Sequence, residues 1–287
     1  MTRAFVDVHL HWQVRNSDLS KATEALRRLH RIGAQLLVFY IDDVDKSLEQ
    51  LFASMLVQAP VDESRHYGLG TGSFENQWDS WSRIVAALGN PDWLAFFPQL
   101  LFPEQMTRRY IERWVSLGCA GIKLIEVRGE IDGAERFDAA ALAAGQKEVF
   151  ATCEALGLSL SLHADLRRNR PWIEGLLEEH PRLKLNLAHF GHSRTHAADL
   201  LRRWPDRLFS DMANLARHAE KSPDGYRRFM EEFPDQLILG SDGFLGDLSA
   251  VERHVALVEQ LTSPETARRI LVENPLRFLN RGGQPPA

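Results

Sequence analysis

Eight short runs of β-type residues recur along this chain of 287 residues, and most of them precede a segment with helical spacing. Each run is mainly apolar and five to eight residues long, which is typical of buried strands. The predicted strands are 4–11, 35–41, 93–98, 121–127, 158–163, 184–189, 207–211 and 236–241.

Between the strands, apolar residues recur at a spacing near 3.6, which predicts helices. These helices are predicted at 18–32, 104–117, 138–156, 171–180, 194–203 and 224–233. Gly33, Gly118 and Gly157 each end a helical segment before a strand. Alternating strands and helices form parallel sheets through right-handed crossovers, so eight such units predict an α/β fold, a (β/α)8 TIM barrel. A doubly wound open sheet is the competing topology, but it lacks support because no Gly-rich phosphate turn follows the first strand.

We expect residues 1–287 to form a single barrel domain. Extra helices near 248–261 and 264–279 follow the eighth strand. The Gly- and Pro-rich tail, 281–287, is expected to be flexible, as chain termini often are.

One connection is much longer than the others, the insertion 42–92 after the second strand. Within it we predict helices at 43–57 and near 79–89, separated by an irregular stretch at 65–78. In a barrel this insertion lies at the C-terminal face, where active sites are built. Long loops at such a place are usually lids or substrate walls.

Composition excludes several classes of protein. Because 44% of the residues are hydrophobic, disorder is excluded. The net charge is −5 and no Lys/Arg cluster dominates a segment, so we expect no nucleic-acid partner. No apolar run reaches the roughly 20 residues of a membrane helix, so we expect no membrane partner. A chain with two scattered cysteines, and with polar residues where a signal peptide would be apolar, is expected to be cytoplasmic.

Five side chains of the kinds that bind metals fall at predicted strand ends. His9 and His11 are two residues apart on the first strand, so both side chains point to the same face. His163, His189 and Asp242 each fall at the C-terminal end of a later strand. A pair of histidines alone is equally well explained as a core or surface pair, but five such residues on one rim of a barrel indicate a metal site.

Taken in order, six motifs resemble the amidohydrolase superfamily, and within it the amidohydrolase-related branch (amidohydrolase 2) of metal-dependent hydrolases and decarboxylases. The motifs are DVHLH (7–11), GIKLI (121–125), LHAD (162–165), LAHFGH (187–192), GSDG (240–243) and ENPLRFL (273–279). The resemblance implies a metal site made of His9, His11, His163 and Asp242. It also implies that His189 acts on the bound water or the substrate without being a primary ligand.

The chemistry of this ligand set agrees with the resemblance. Three imidazoles and one carboxylate suit one divalent cation, Zn²⁺ first and Fe²⁺ or Mn²⁺ as alternatives, with a position open for water. Zn²⁺ lowers the pKa of bound water to about 7, which makes hydroxide available near neutral pH. Asp242 can accept the proton of that water, and His189 can polarise a carbonyl or protonate a leaving group. A purely structural His189 is the alternative.

Lys123 stands where the binuclear relatives implied by the resemblance carry a bridging carboxylated lysine. Those relatives have a histidine two residues later, but this chain has Ile125, so we do not expect a second metal. Lys123 is therefore either a contact for a substrate carboxylate or a barrel lysine paired with an acid.

Other residues are candidates for substrate binding or for support of the ligands. Arg128, Trp12, His66 and Tyr67 are candidate substrate contacts, with ion pairing or core packing as the alternatives. Asp165 and Asp211 are candidates to orient ligand imidazoles by accepting their far N–H, although each could equally be a helix cap or a loop residue. His192 is expected to be a supporting or solvent-exposed histidine.

The leading interpretation is a metal-dependent hydrolase in which a metal-activated water attacks the carbonyl of an amide, a lactone or an ester in a small organic substrate. A non-oxidative decarboxylase of a small aromatic or unsaturated acid is the first alternative, because the same branch builds both on one ligand set. A catalytically silent barrel used for binding is the second. A small molecule is the expected partner, and the seven Trp and fifteen Phe residues allow a homodimer without requiring one.

Overall fold

The computed structural model describes residues 4–12, 19–41, 74–100, 105–125, 139–213, 218–244 and 248–281. In this part of the chain the strands are β1 Phe5–Trp12, β2 Ala34–Ile41, β3 Leu94–Leu100, β4 Gly121–Ile125, β5 Ser159–His163, β6 Leu185–Leu187, β7 Leu208–Asp211, β8 Leu237–Ile238 and β9 Gly243–Phe244. All pairings are parallel, in the order β8-β7-β6-β5-β4-β3-β2-β1-β9.

Helices alternate with these strands, as a barrel requires. They are α1 Leu19–Arg31, α2 Phe74–Ala87, α3 Arg108–Ser116, α4 Ala139–Leu156, α5 Leu166–Glu179, α6 Arg194–Arg203, α7 Pro223–Glu232, α8 Ser249–Leu261, α9 Pro264–Arg268 and α10 Asn274–Phe278. The eight predicted strands are all present, and the (β/α)8 TIM barrel is confirmed.

The segment 237–244 closes the barrel. Its first part, β8, pairs with β7, and its last part, β9, pairs with β1. Between them, Val8 N donates to Leu239 O at 3.0 Å and Asp242 N donates to His9 O at 2.9 Å. One short segment therefore joins the last strand of the sheet to the first.

The opposite, N-terminal end of the barrel is filled by α10. Phe278 packs against Phe97 and Phe209, with ring centroids 6.2 Å and 5.5 Å away, and Ser159 Oγ donates to the Phe278 carbonyl. Burying these rings removes a large apolar area from water. Among the described residues, the N-terminal end of the barrel is therefore closed by α10.

An irregularity in β1 decides which way its histidines point. The pairing register with β2 shifts between Asp7 and Leu10. Val8 belongs to the apolar layer that contains Tyr40, while Leu10 belongs to the layer beneath the helices. His9 follows Val8 directly, yet its ring also lies against Tyr40, at 4.6 Å between centroids. The bulge-like shift thus puts two successive residues inside the barrel.

Several predicted elements differ from the structure in their bounds or their form. β6 ends at Leu187 rather than at 189, because the chain turns into a left-handed 3-10 segment at Ala188–His192. α5 begins at Leu166 rather than at 171, because Asp165 caps it and accepts the Arg167 N–H at 2.9 Å. The single helix predicted at 264–279 contains a π-helical turn, Arg269–Glu273, just before Pro275.

Several predictions fall outside the described residues. The helix at 43–57 and most of the insertion 42–92 lie there, although its last helix is present as α2. Of the predicted tail 281–287, the structure describes Arg281 alone. Within the described ranges, every helix is too short or too polar to traverse a bilayer.

Candidate metal centre

His9 and His11 meet Asp242 at the C-terminal end of the barrel. His9 Nε2 lies 3.1 Å from His11 Nε2. Asp242 Oδ1 lies 3.4 Å from His9 Nε2 and 3.0 Å from His11 Nε2. These three residues, here called the ligand cluster, each offer an atom within 4.8 Å of the other two. His9 is fully buried, whereas the side chains of His11 and Asp242 are 17% and 18% exposed.

Asp242 reaches the cluster because the backbone around it approaches β1 closely. A Cβ on Gly240 would lie 2.7 Å from Asp211 Cβ and 2.8 Å from His9 Cβ, so only glycine fits there. Asp242 has a φ of 58°, in the left-handed region that aspartate tolerates better than most residues. The motif GSDG therefore encodes a close contact followed by a turn.

Asp211, at the end of β7, fixes the orientation of His9. Its Oδ2 lies 2.8 Å from His9 Nδ1 and accepts from Asn186 Nδ2 at 2.9 Å. Its Oδ1 accepts the N–H groups of His189 at 2.9 Å and of Ala213 at 3.2 Å. Since the Asp211 carboxylate can only accept hydrogen bonds, His9 carries its proton on Nδ1. The lone pair on His9 Nε2 then faces His11 and Asp242.

The ligand cluster fits one divalent cation. Atoms bound about 2.1 Å from a common Zn²⁺ are about 3.0–3.4 Å apart. The three separations in the cluster, 3.0, 3.1 and 3.4 Å, fall within this range. Two imidazole nitrogens and a carboxylate oxygen are also the donor types that Zn²⁺, Fe²⁺ and Mn²⁺ accept.

Burial sets the protonation of the site. It lowers the pKa of His9 below its ordinary value, lowers that of His163 well below it, and lowers that of His189 to about 3, so these imidazoles are neutral at pH 7. Burial alone would raise the pKa of Asp242, but the neighbouring His189 and the hydrogen bond with His11 hold it well below the usual range. The centre therefore combines neutral imidazoles with an ionised carboxylate, as a cation requires.

Comparison with known proteins identifies the family. A sequence model described as Amidohydrolase matches residues 6–281. The chain belongs to the amidohydrolase family. A comparison with curated proteins found no match.

Solved structures share the fold of this amidohydrolase at low identity. An uncharacterised TIM-barrel protein from Bordetella bronchiseptica is 13% identical, with a TM-score of 0.58 over 98% of this chain and 100% of that one. Dihydroorotase from Saccharomyces cerevisiae, in complex with 5-fluoroorotic acid, is 12% identical, with a TM-score of 0.61 over 99% and 85%. A phosphotriesterase homology protein from Escherichia coli is 12% identical, with a TM-score of 0.57 over 97% and 99%.

His189 stands on a strained turn beside the ligand cluster. His189, Phe190, Gly191 and His192 all have φ between 52° and 56°, in the left-handed region. Left-handed backbone costs about 1–2 kcal/mol for each non-glycine residue. The bond from His189 N to Asp211 helps to hold this turn, which brings His189 Nδ1 to 3.9 Å from Asp242 Oδ2. Strain of this kind often accompanies function.

His163 lies next to this turn rather than within the ligand cluster. Its Nε2 is 2.9 Å from His192 Nε2, and its ring centroid is 5.0 Å from that of His189. The structure thus brings together three of the four predicted ligands, His9, His11 and Asp242. His163 lies outside this cluster, next to the ring of His189. His192, predicted as a supporting histidine, contacts His163 directly.

Lys123 is 1% exposed and lies beneath the site. Its Nζ is 4.4 Å from the centroid of the Tyr40 ring, a cation–π contact. The charge of Lys123 helps to lower the pKa values of His9, His163 and His189. The role of Lys123 toward a substrate stays a prediction.

The remaining predicted site residues divide into two groups. Arg128, His66 and Tyr67 lie outside the described residues, and of Trp12 only the backbone in β1 is described. Asp165 caps α5 and holds the Arg167 guanidinium at 2.6–3.1 Å, which matches the helix-cap alternative.

Sequence reasoning missed a buried hydrogen-bonded network below the ligand cluster. Tyr40 OH donates to Ser161 Oγ at 2.8 Å, and Asn186 Nδ2 lies 3.0 Å from the same oxygen and 2.9 Å from Asp211 Oδ2. All four side chains are buried in the barrel. The available signal was the polar residue in the middle of each apolar strand run, SLSLH for Ser161 and KLNLAH for Asn186.

Proposed function

We propose that this amidohydrolase is a metal-dependent hydrolase that cleaves an amide, lactone or ester of a small organic substrate. The observation that supports it best is the convergence of His9 Nε2, His11 Nε2 and Asp242 Oδ1 at separations of 3.0–3.4 Å. When bound there, one divalent cation supplies an acidified water and polarises a carbonyl oxygen. Zn²⁺ suits this donor set first, with Fe²⁺ and Mn²⁺ as alternatives.

In this proposal the ligand cluster would hold the cation, and His163 would be the fourth ligand. His163 is neutral because burial keeps its pKa well below the ordinary value. Its Nε2 is occupied by His192 at 2.9 Å, and that contact is the one His163 would exchange for the cation. Asp211 keeps His9 in the ligating tautomer throughout.

Two side chains would carry out the proton transfers. Asp242 is ionised, so its carboxylate can accept the proton of the attacking water. His189 is neutral and lies beside Asp242, so its ring N–H can donate a hydrogen bond to the carbonyl oxygen. It could protonate the leaving group only after taking up the proton that Asp242 has accepted from the water. The low-dielectric surroundings of both groups strengthen such interactions.

The proposal is tested by metal analysis together with a substrate panel. We expect about one equivalent of divalent metal in the purified protein, loss of activity with a chelator, and recovery with Zn²⁺, Fe²⁺ or Mn²⁺. The panel contains small lactones, esters and amides, together with aromatic and unsaturated carboxylic acids. Release of CO2 from an acid without hydrolysis of any carbonyl substrate would establish the decarboxylase instead. A protein that binds no metal and turns over nothing would establish the silent barrel.

His189→Asn is expected to separate catalysis from cation binding. Asparagine tolerates the left-handed backbone at this position, so the turn should persist. We expect the cation affinity to stay within about threefold while kcat falls about 10²–10⁴-fold, the usual contribution of a general acid or base. His218→Asn, at an exposed histidine, is the matched control. An unchanged kcat would remove His189 from the mechanism.

A further inference from the structure

Asp7 is a fully buried carboxyl group that links two distant parts of the chain. Its Oδ1 accepts the N–H of His9 at 3.0 Å and the N–H of Ser241 at 3.1 Å. Its Oδ2 is also buried, and it has no hydrogen-bond partner among the described residues. A buried carboxyl group with an unsatisfied oxygen costs free energy, so its presence calls for a role beyond packing.

The two N–H groups that Asp7 accepts belong to the segments that carry the ligand cluster. His9 is itself a member, and Ser241 directly precedes Asp242. Ser241 in turn accepts the Gly243 N–H on its Oγ at 3.2 Å, which shapes the turn around Asp242. The Asp242 N–H meets the His9 carbonyl at 2.9 Å. Asp7 and His9 thus form hydrogen bonds on both sides of Asp242, whose φ of 58° is unfavourable without such support.

We propose that Asp7 is a positioning residue that holds the turn 240–243 against β1, so that Asp242 Oδ1 lies beside His9 and His11. Asp7 acts through the backbone of Ser241 and His9 and through a hydrogen bond with the Ser241 side chain. This inference rests on the proposed function, in which Asp242 is a cation ligand. Whether Asp7 stabilises the turn 240–243 can be measured without any cation.

Three variants test the proposal. Asp7→Asn keeps an oxygen that can accept both N–H groups. Asp7→Ala removes it, and Asp7→Ser retains a small polar group that is too short to reach Ser241, in case the alanine variant does not fold. Gln236→Ala is the matched control, because Gln236 is also buried and its side chain also bonds two backbone groups, the carbonyls of Leu201 and Leu208, at the start of β8.

The first measurement is amide hydrogen exchange on chelator-treated protein. We expect the Ser241 amide to exchange at least tenfold faster in Asp7→Ala and Asp7→Ser than in the parent chain, while amides in β2 and β3 keep their protection. Asp7→Asn should restore the parent rate within threefold, and Gln236→Ala should leave Ser241 unchanged. An unchanged Ser241 rate in both Asp7→Ala and Asp7→Ser would overturn the proposal.

The second measurement is a calorimetric titration of the same proteins with Zn²⁺. We expect the Kd to rise at least tenfold in Asp7→Ala and Asp7→Ser, and to return to within threefold of the parent value in Asp7→Asn. Gln236→Ala should lower the melting temperature without changing Kd. An unchanged Kd in Asp7→Ala and Asp7→Ser would refute the positioning role and leave the proposed function intact. If the parent chain binds none of Zn²⁺, Fe²⁺ and Mn²⁺, the proposed function fails, and the exchange of Ser241 still decides whether Asp7 holds the turn.

Discussion

His11→Ala is expected to abolish cation binding and turnover while the barrel stays folded. His11 offers the most separable ligand, because its side chain is 17% exposed whereas His9 is buried against Asp211. Removing His9 would leave the Asp211 carboxylate without its imidazole partner, which is costly in a buried place. At His11 the side chain is partly exposed, so its loss leaves no buried charge without a partner. We expect the Zn²⁺ affinity to fall by more than about 100-fold, beyond what changes outside the ligand set typically cause.

The measurement is Zn²⁺ titration of the chelator-treated variant, together with elemental analysis of the protein as purified. His218→Ala, at an exposed histidine, is the matched control and should bind as the parent chain does. Circular dichroism should show an unchanged fold in both variants. Full metal occupancy in a folded His11→Ala protein would contradict the proposed ligand set.

Asp211→Asn is expected to cause the second large effect, through a change of tautomer. The oxygen that faces His189 N and Ala213 N must remain an acceptor, so the new amide NH2 group takes the place of Oδ2. That NH2 group would donate to His9 Nδ1, which forces the His9 proton onto Nε2. An Nε2–H cannot bind a cation. We expect the Zn²⁺ affinity to fall about 10–100-fold, as for other residues that orient ligands.

The same variant should change the dependence of stability on pH. Burial alone would raise the pKa of Asp211, but the adjacent His9 and its hydrogen bond, together with the nearby His189 and Lys123, hold it well below the usual range. A lowered folded-state pKa stabilises the protein above the unfolded value of about 3.9, and this contribution is lost as the pH falls below it. For the metal-free proteins, the difference in unfolding free energy between the parent chain and Asp211→Asn should therefore be full at pH 6–8 and should shrink below about pH 4.

Chemical denaturation across this pH range is the measurement. Asp224→Asn is the matched control, because the Asp224 side chain is 80% exposed and its ion pair with Arg227 should contribute little. A pH-independent difference would show that Asp211 is not held ionised by the fold. An unchanged Zn²⁺ affinity would contradict the tautomer argument.

The barrel was predictable because hydrophobic periodicity reports burial directly. Runs such as QLLVFYI and WLAFFP are apolar on both faces, and only a sheet covered on both sides has room for them. The order of His9, His11, His163, His189 and Asp242 along the chain then indicated one rim, since the strands of a barrel all end at the same face.

Finer features depended on contacts that a single sequence does not display. The register shift in β1 adds a residue to the barrel interior, and nothing in VDVHLHW marks it. The left-handed turn at His189 contains Phe190, a residue rarely found there, and it exists because Asp211 accepts a backbone N–H from a distant strand. The contact between His163 and His192 follows from that turn, and the sequence alone does not reveal it.

The seam of the barrel and its chemistry occupy the same few residues. The stretch from Leu237 to Phe244 pairs with β7 at one end and with β1 at the other, and it also carries Asp242, which lies beside His11 at the C-terminal end of the barrel. Gly240 admits no larger side chain, and Ser241 is tethered by Asp7. A substitution in this stretch that weakens the closure of the barrel is therefore expected to displace Asp242 from His9 and His11 as well.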